Sequence, residues 1–457
     1  RLYTRLSYCY FFDRGKIPCL WAHLRAVNLA ERYPPTLERA HAWATHAPVM
    51  ALLPWLSRGE AFAKKSLEAR RELGDVCGQG QSLHYLGVIF FAGARFDECI
   101  SVCREAVRLL ERTGDYWERN MAWWQSANAL YRKGDLANAI REIKLLYDVC
   151  TEMGDDKVSG FCLDVWSRAS GGRLPLDIVR REMQKERHDV WATALVLLAE
   201  AVRLSAMNEF VEAEKILLKA REECRKIGMV NSWVGPILPW LATVRRLQWQ
   251  RSTDMSPYRR RKLLRGASRA ARNALSAARK FQTDLPHALR EAGLIAVMQG
   301  SLRKARQYLD ESLVVAKRQG AQFEHAQSLM ARAHVGRELG WAGADHDQAN
   351  ATHSLRTLGA DFAIDEYVQP QAPTVRSATL SLVDRFDTVL DAGRRIASAL
   401  SREMIFTEVC DAAKQLLRAE RCLLLQFEGD DSSKDLTVVS GELSVEYSRT
   451  MAARALT

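Results

Sequence analysis

The sequence predicts a mainly α protein: a superhelical solenoid of stacked helix pairs, then a coiled linker helix and the truncated start of a small α/β domain. Three observations carry this expectation. A frame of small and apolar residues closed by glycine recurs between residues 59 and 320. No strand pattern interrupts residues 1–367. Beyond a proline-containing break at 369–374, an apolar seam at coiled-coil spacing leads to two short apolar runs joined by a polar turn.

The frame reads Gly59, Ala63, Ser66, Gly74; Cys99, Cys103, Ala106, Gly114; Ala139, Ile143, Leu146, Gly154; Ala213, Leu217, Ala220, Gly228; and Ala305, Leu309, Ser312, Gly320. Offsets of four, three and eight residues place the first three positions on one helix stripe and the glycine where a left-handed C-cap is needed. Small residues at the first and third positions let a helix approach its predecessor closely. A further unit fits with Ala267, Ala271 and Ala274, ending near Gln282 without a glycine. The helix before each frame is also legible: Leu86, Gly87, Phe90 and Phe91 precede the turn that leads to Cys99. Pro34, Pro35, Pro48, Pro54 and the pair Gly171 and Gly172 are expected to interrupt helices.

These positions resemble the tetratricopeptide repeat (TPR) family, with Gly87 and Gly293 at its first-helix glycine and Cys99, Ala139, Ala213 and Ala305 at its second-helix alanine. Glycines at 74, 114 and 154 give a period near 40, longer than the ~34 of the standard repeat. The resemblance therefore points to the extended repeats found beside large regulatory ATPases. It implies an elongated superhelix with a concave groove, stabilised chiefly by neighbour-on-neighbour packing.

At 457 residues the chain is too long for a single compact core, and 47% hydrophobic with 26% charged residues is ordinary for a folded protein. It opens on Arg1 and closes on Thr457 in the manner of an excerpt from a longer protein. No apolar run approaches the ~20 residues of a membrane span. Ten scattered cysteines without a CxxC pair fit a reducing cytoplasm. Cys99 and Cys103 share a helix face but lack the partners of a four-ligand metal site, and no metal is expected. The net charge of +11 is diffuse over this length.

After the linker at 368–376, Leu382, Phe386, Val389, Gly393, Ile396 and Leu400 recur by four and three residues. Residues 377–401 thus read as a signalling helix, either a parallel dimer seam or an amphipathic helix lying on its own domain. Ile405, Val409, Ala412, Leu416 and Leu417 mark another helix, and apolar runs at 421–427 and 436–440 flank a polar turn, as in an antiparallel hairpin. The order of helix, Ala419-Glu420-Arg421-Cys422, strand, acidic turn and strand resembles the opening of a GAF domain, a sensing module of bacterial signalling proteins. The resemblance assigns 402–457 to the N-terminal part of such a domain. No cofactor is expected in this segment, while a complete GAF domain would admit a small molecule.

Motifs for phosphate cradling (GxxxxGK[ST]), dinucleotide binding (GxGxxG), zinc hydrolysis (HExxH) and a nucleophile elbow (GxSxG) do not occur, so catalysis by these residues is not expected. Residues 285–290 distantly resemble a histidine phosphorylation box, but Ala288 stands where an acid belongs, and His287 reads better as part of a helix start. Two candidate surfaces stand out. Arg259, Arg260, Arg261, Lys262, Arg265, Arg269 and Arg272 form the densest basic segment: a docking patch for phosphates or acidic domains, or a solvated outer face. Trp123, Trp124, Trp233 and Trp240, with Trp43 and Trp55, either line a ligand groove or pack between helices. Adjacent Trp123 and Trp124 cannot both enter one interface.

The domain order resembles multidomain sensor histidine kinases with an upstream AAA or STAND-type ATPase. That resemblance implies a cytoplasmic, non-catalytic regulatory segment of a two-component signalling protein, binding protein partners or other domains of its own chain ahead of nucleic acid, with a homodimer through 377–401. Two alternatives share the solenoid: the inducer-binding region of a STAND-type transcription activator, and the regulatory region of a class III nucleotide cyclase.

Overall fold

The computed structural model describes residues 2–34, 36–253, 255–364, 396–397, 401–417, 422, 424–428 and 435–440. They fall into two units, Arg1–Arg251 with Leu264–Pro370, and Ser252–Leu263 with Gln371–Thr457.

The first unit is a TPR-like stack of antiparallel helix pairs. In chain order it begins α1 (Leu2–Asp13), α2 (Lys16–Ala30), α3 (Leu37–Leu52), α4 (Leu56–Glu72), α5 (Val76–Ala92), α6 (Phe96–Thr113), α7 (Tyr116–Lys133), α8 (Leu136–Met153) and α9 (Asp156–Ala169). It continues α10 (Leu176–Gln184), α11 (Val190–Ala206), α12 (Phe210–Lys226), α13 (Ile237–Arg251), α14 (Pro257–Ala278), a 3-10 turn (Gln282–Asp284), α15 (Leu285–Met298), α16 (Leu302–Arg318), α17 (Gln322–Glu338) and α18 (Ala344–Thr357). Helix α14 begins in the second unit and continues into the first.

A glycine-aspartate pair punctuates the stack. Gly114, Gly134 and Gly154 adopt left-handed backbone conformations that end α6, α7 and α8. The aspartate that follows each glycine then caps the next helix: Asp115 accepts from the Glu118 amide at 3.1 Å, Asp135 from Asn138 at 3.4 Å and Asp155 from Val158 at 3.1 Å. Stop and start signals are thus adjacent, which forces a tight reversal and an antiparallel neighbour.

Every position of the predicted frame behaves as its spacing requires. Cys99, Cys103, Ala106, Ala139, Ile143, Leu146, Ala213, Leu217, Ala220, Ala305, Leu309 and Ser312 are fully buried, and the closing glycines 74, 114, 154, 228 and 320 all have positive φ. Gly87 has a different role: a Cβ there would collide with Cys103 Sγ, so its absence is what lets α5 and α6 close on each other.

Gly171 and Gly172 interrupt the helices as expected, with φ of 63° and 82°, and lead into the short α10 that separates α9 from its stacking partner α11. Two expectations need correction. Pro48 does not break a helix but lies inside α3, where the helix forgoes one backbone hydrogen bond. The stack, moreover, is not held by nearest neighbours alone. Trp233 stacks on Phe91 at 5.8 Å and Tyr131 meets Phe323 at 6.3 Å, so units distant in sequence touch across the inner side. The cause lies in the inner helices. Residues Leu86 to Ala92 of α5 are all buried, and so is most of α7, α9 and α11; a helix buried on every side needs cover on its inner side as well.

That inner side is filled by an aromatic chain. Trp124 and Phe161 lie 4.9 Å apart, Phe161 and Trp191 4.6 Å, and Trp191 and Trp233 5.6 Å, before Trp233 reaches Phe91.

In the second unit, helix α19 (Arg402–Leu417) precedes two antiparallel strands, β1 (Leu424–Glu428) and β2 (Asp435–Ser440). The register pairs Leu425 with Val438 and Phe427 with Leu436, with an irregularity between Leu424 and Leu425. Of the expected seam, Leu382, Phe386, Val389 and Leu400 lie outside the described residues, as does the linker 368–376; Ile396 is described and helical.

Candidate functional site

The inner helices of the stack converge a dense set of charged side chains. On α7, Arg132 follows Gln125 and Asn128 along one stripe. Arg132 Nη1 meets Asp284 Oδ1 at 2.7 Å and donates to the Thr283 carbonyl at 3.3 Å, which ties α7 to the 3-10 turn 151 residues away. On α9, Asp164 and Arg168 pair one turn apart with both side chains at most 2% exposed. Arg246 of α13 forks onto Glu291 of α15 at 2.7 and 3.1 Å, and Arg290 of α15 meets Glu324 of α17 at 2.6 Å. Four guanidinium groups thus face four carboxylates, with every side chain buried.

His287 sits among them, its Nε2 2.8 Å from Thr243 Oγ1 and its ring edge-on to Trp240 at 5.5 Å. Burial, reinforced by the guanidinium groups of Arg290, Arg132, Arg246 and Arg168, holds His287 well below its usual pKa. It is an interior histidine, 6% exposed, with little solvent face to offer a phosphoryl donor. Burial likewise raises the Asp164 carboxyl, against the opposing pull of Arg168.

Neighbouring polar atoms are not all satisfied. Asn128 Oδ1, Arg132 Nε and Ser232 Oγ are buried and make no hydrogen bond. Such atoms are costly in a closed core and mark places where a ligand group or water completes the network. The arrangement brings donors, acceptors and balanced charge together inside the stack.

The tryptophans read as groove residues divide. Trp124 is 1% exposed and donates to the Phe161 carbonyl at 3.2 Å, while Trp233 is 5% exposed and donates to Gln125 Oε1 at 2.9 Å. Both are interior packing residues and line no open groove, because the second layer of cover over the inner helices is built from them. Trp240 is half-buried beside His287. Trp123, as adjacency required, points the other way, half-exposed and bonded to Glu142 at 3.1 Å.

The basic segment lies on α14. Arg259, Arg261 and Lys262 are exposed and Arg260 half-buried in the second unit; Arg265, Arg269 and Arg272 are exposed in the first, opposite the buried stripe of Ala267, Ala271 and Ala274. The inner ion pairs escaped sequence reasoning. A usable signal was Asp164 and Arg168, an i,i+4 charge pair inside an otherwise apolar helix.

No family model matches the sequence, and no curated protein does either. Among solved structures, a Rap protein complexed with competence and sporulation factor is 12% identical, with a TM-score of 0.54 over 79% of this chain and 97% of that one. A human IFIT1 dimer with PPP-AAAA is 14% identical over 90% of this chain and 89% of that one, at a TM-score of 0.43 too low to bear on the fold. The Rap likeness is one of fold: a TPR-like helical repeat. No helix among the described residues is long and apolar enough to cross a membrane.

Proposed function

We propose that this chain is the partner-sensing, non-catalytic region of a signal-transduction protein, in which the helical stack receives the input and residues 402–457 begin a GAF domain. The observation that carries the reading is the Arg132–Asp284 pair with its unpaired neighbours. The buried charge pair that joins α7 to the 3-10 turn is, in this reading, the element whose pairing a bound partner biases. In this reading the helix at 377–401, read as a dimer seam, carries the change to an output domain.

The order of a repeat stack, a linker, a helix and a short hairpin favours a sensor histidine kinase with an upstream ATPase as the parent protein. That parent is expected to accumulate acid-labile phosphohistidine when given ATP. Cyclic nucleotide production or specific DNA binding without phosphohistidine would refute the kinase assignment and select the cyclase or the transcription activator. For the dimer, replacing Phe386 and Ile396 by lysine should yield a monomer; a chain already monomeric refutes the seam. The exposed cations Arg265, Arg269 and Arg272 of α14 serve as a second docking surface for an acidic domain, and reversing all three to glutamate should abolish that binding.

A further inference from the structure

We propose that the groove between α6 and α8, floored by α7, docks an acidic peptide segment of a protein partner. This deepens the partner-sensing reading and rests on it. The groove holds about 600 Å³, and none of the paired inner residues lines it. Its apolar walls come from Ile100 and Val107 on α6 and the Trp123 ring on α7.

Three observations select the occupant. At the floor, Ser126 is 1% exposed and its Oγ makes no hydrogen bond, although a helical serine can ordinarily bond the carbonyl one turn back. A buried hydroxyl left unpaired favours any ligand that accepts from it. The acids of the groove are already engaged: Asp97 pairs with Lys133, and Glu142 receives both Trp123 Nε1 at 3.1 Å and Arg104 at 3.3 Å. Arg108, one turn beyond Arg104, is exposed and makes no ion pair among the described residues.

What remains to be complemented is therefore a cation, a hydroxyl donor and an apolar wall. A carboxylate on Arg108, a backbone carbonyl on Ser126 and an aliphatic side chain against Trp123 meet all three, and a peptide lying along the groove supplies them together. Indole and guanidinium are also the side chains on which interface energy concentrates.

The test uses the full chain and a fluorescent peptide of alternating leucine and glutamate, beside leucine-glutamine and leucine-lysine counterparts. Anisotropy should show saturable binding of the acidic peptide only. Arg108→Glu should weaken it by roughly tenfold or more, as loss of a charge-assisted bond does, while Arg108→Lys retains most of the affinity. Hydrogen exchange should show protection of residues 97–108 and 123–142, and Ser126→Ala, which leaves the fold intact, should weaken binding by a smaller factor.

Equal binding of all three peptides, or Arg108→Glu without effect, would overturn the proposal. So would protection confined to the inner residues around Arg132 and Asp284, an outcome that leaves the partner-sensing reading standing. Competition by free glutarate at the peptide's own affinity would replace the peptide by a small dicarboxylate and overturn the proposal as well. The phosphohistidine assay on the parent protein judges the broader reading independently.

Discussion

Removing one member of the Arg132–Asp284 pair should cost far more than the pair itself contributes. The two side chains are 2% and 4% exposed and 2.7 Å apart, so at an effective dielectric near 20 their gross attraction is about 6 kcal/mol, most of it offset by desolvation. Asp284→Ala leaves the Arg132 charge buried without its carboxylate and should destabilise the stack by about 3–5 kcal/mol. Arg132→Met should cost a similar amount, because the buried Asp284 carboxyl then lacks the guanidinium that balances it. The double variant removes both charges and should lie within about 2 kcal/mol of the parent, a coupling of about 4 kcal/mol or more. Urea unfolding followed by hydrogen exchange at α7 and α15 suits the measurement, since a repeat array need not unfold in one step. Single variants costing under about 1 kcal/mol, or a double variant costing the sum of the two, would refute the view that these charges are a closed, mutually dependent pair.

The backbone offers two contrasting tests. Gly154→Ala faces open space, so only its left-handed φ of 70° is penalised, and denaturation should show a loss of about 1 kcal/mol. Gly87→Ala should cost about 1–3 kcal/mol through overpacking on Cys103 and recover part of this in combination with Cys103→Ala; equal costs at both glycines would contradict the close approach of α5 and α6. Acid should destabilise the fold through its buried histidines. Burial and the neighbouring His46 push His23 down to about 3, and burial with Arg58 pushes His46 down to about 4, from 6.5. The unfolded chain then binds protons the folded chain refuses, so stability present above pH 6.5 is lost as pH falls towards 4, and His23→Gln should flatten that slope in pH-dependent denaturation. Thiol labelling should separate the cysteines: Cys9 is exposed, whereas burial raises Cys150 and Cys224 to about 12, so iodoacetamide should modify Cys9 in the native chain long before either.

The outer half of the design was legible in the sequence because its constraints are local. A frame such as Ala139, Ile143, Leu146 and Gly154 expresses helix periodicity and a backbone turn, both of which act within a few residues. The two apolar runs that form β1 and β2 are of the same kind. The inner half was hidden because its partners are remote. Arg132 carries no signal of its own in the sequence, and Arg290 only closes a segment that distantly resembles a phosphorylation box, until the fold brings Asp284 and Glu324 to them. Trp123 and Trp124 show the boundary: adjacency proves that they diverge, but only the packed stack decides which of them faces inward.

The contact of Trp233 with Phe91 and Gln125 carries a consequence for how such an array can change over time. Open arrays lengthen or shorten by duplicating or deleting whole repeats, since each new member needs only the one beside it. Here the indole must arrive at a fixed spot after a fixed number of intervening pairs. Inserting or deleting one pair between α5 and the Trp233 turn would carry that ring away from its berth, so repeat number in this stretch is fixed by geometry, and length variation among descendants should be confined to loops and to the ends of the array.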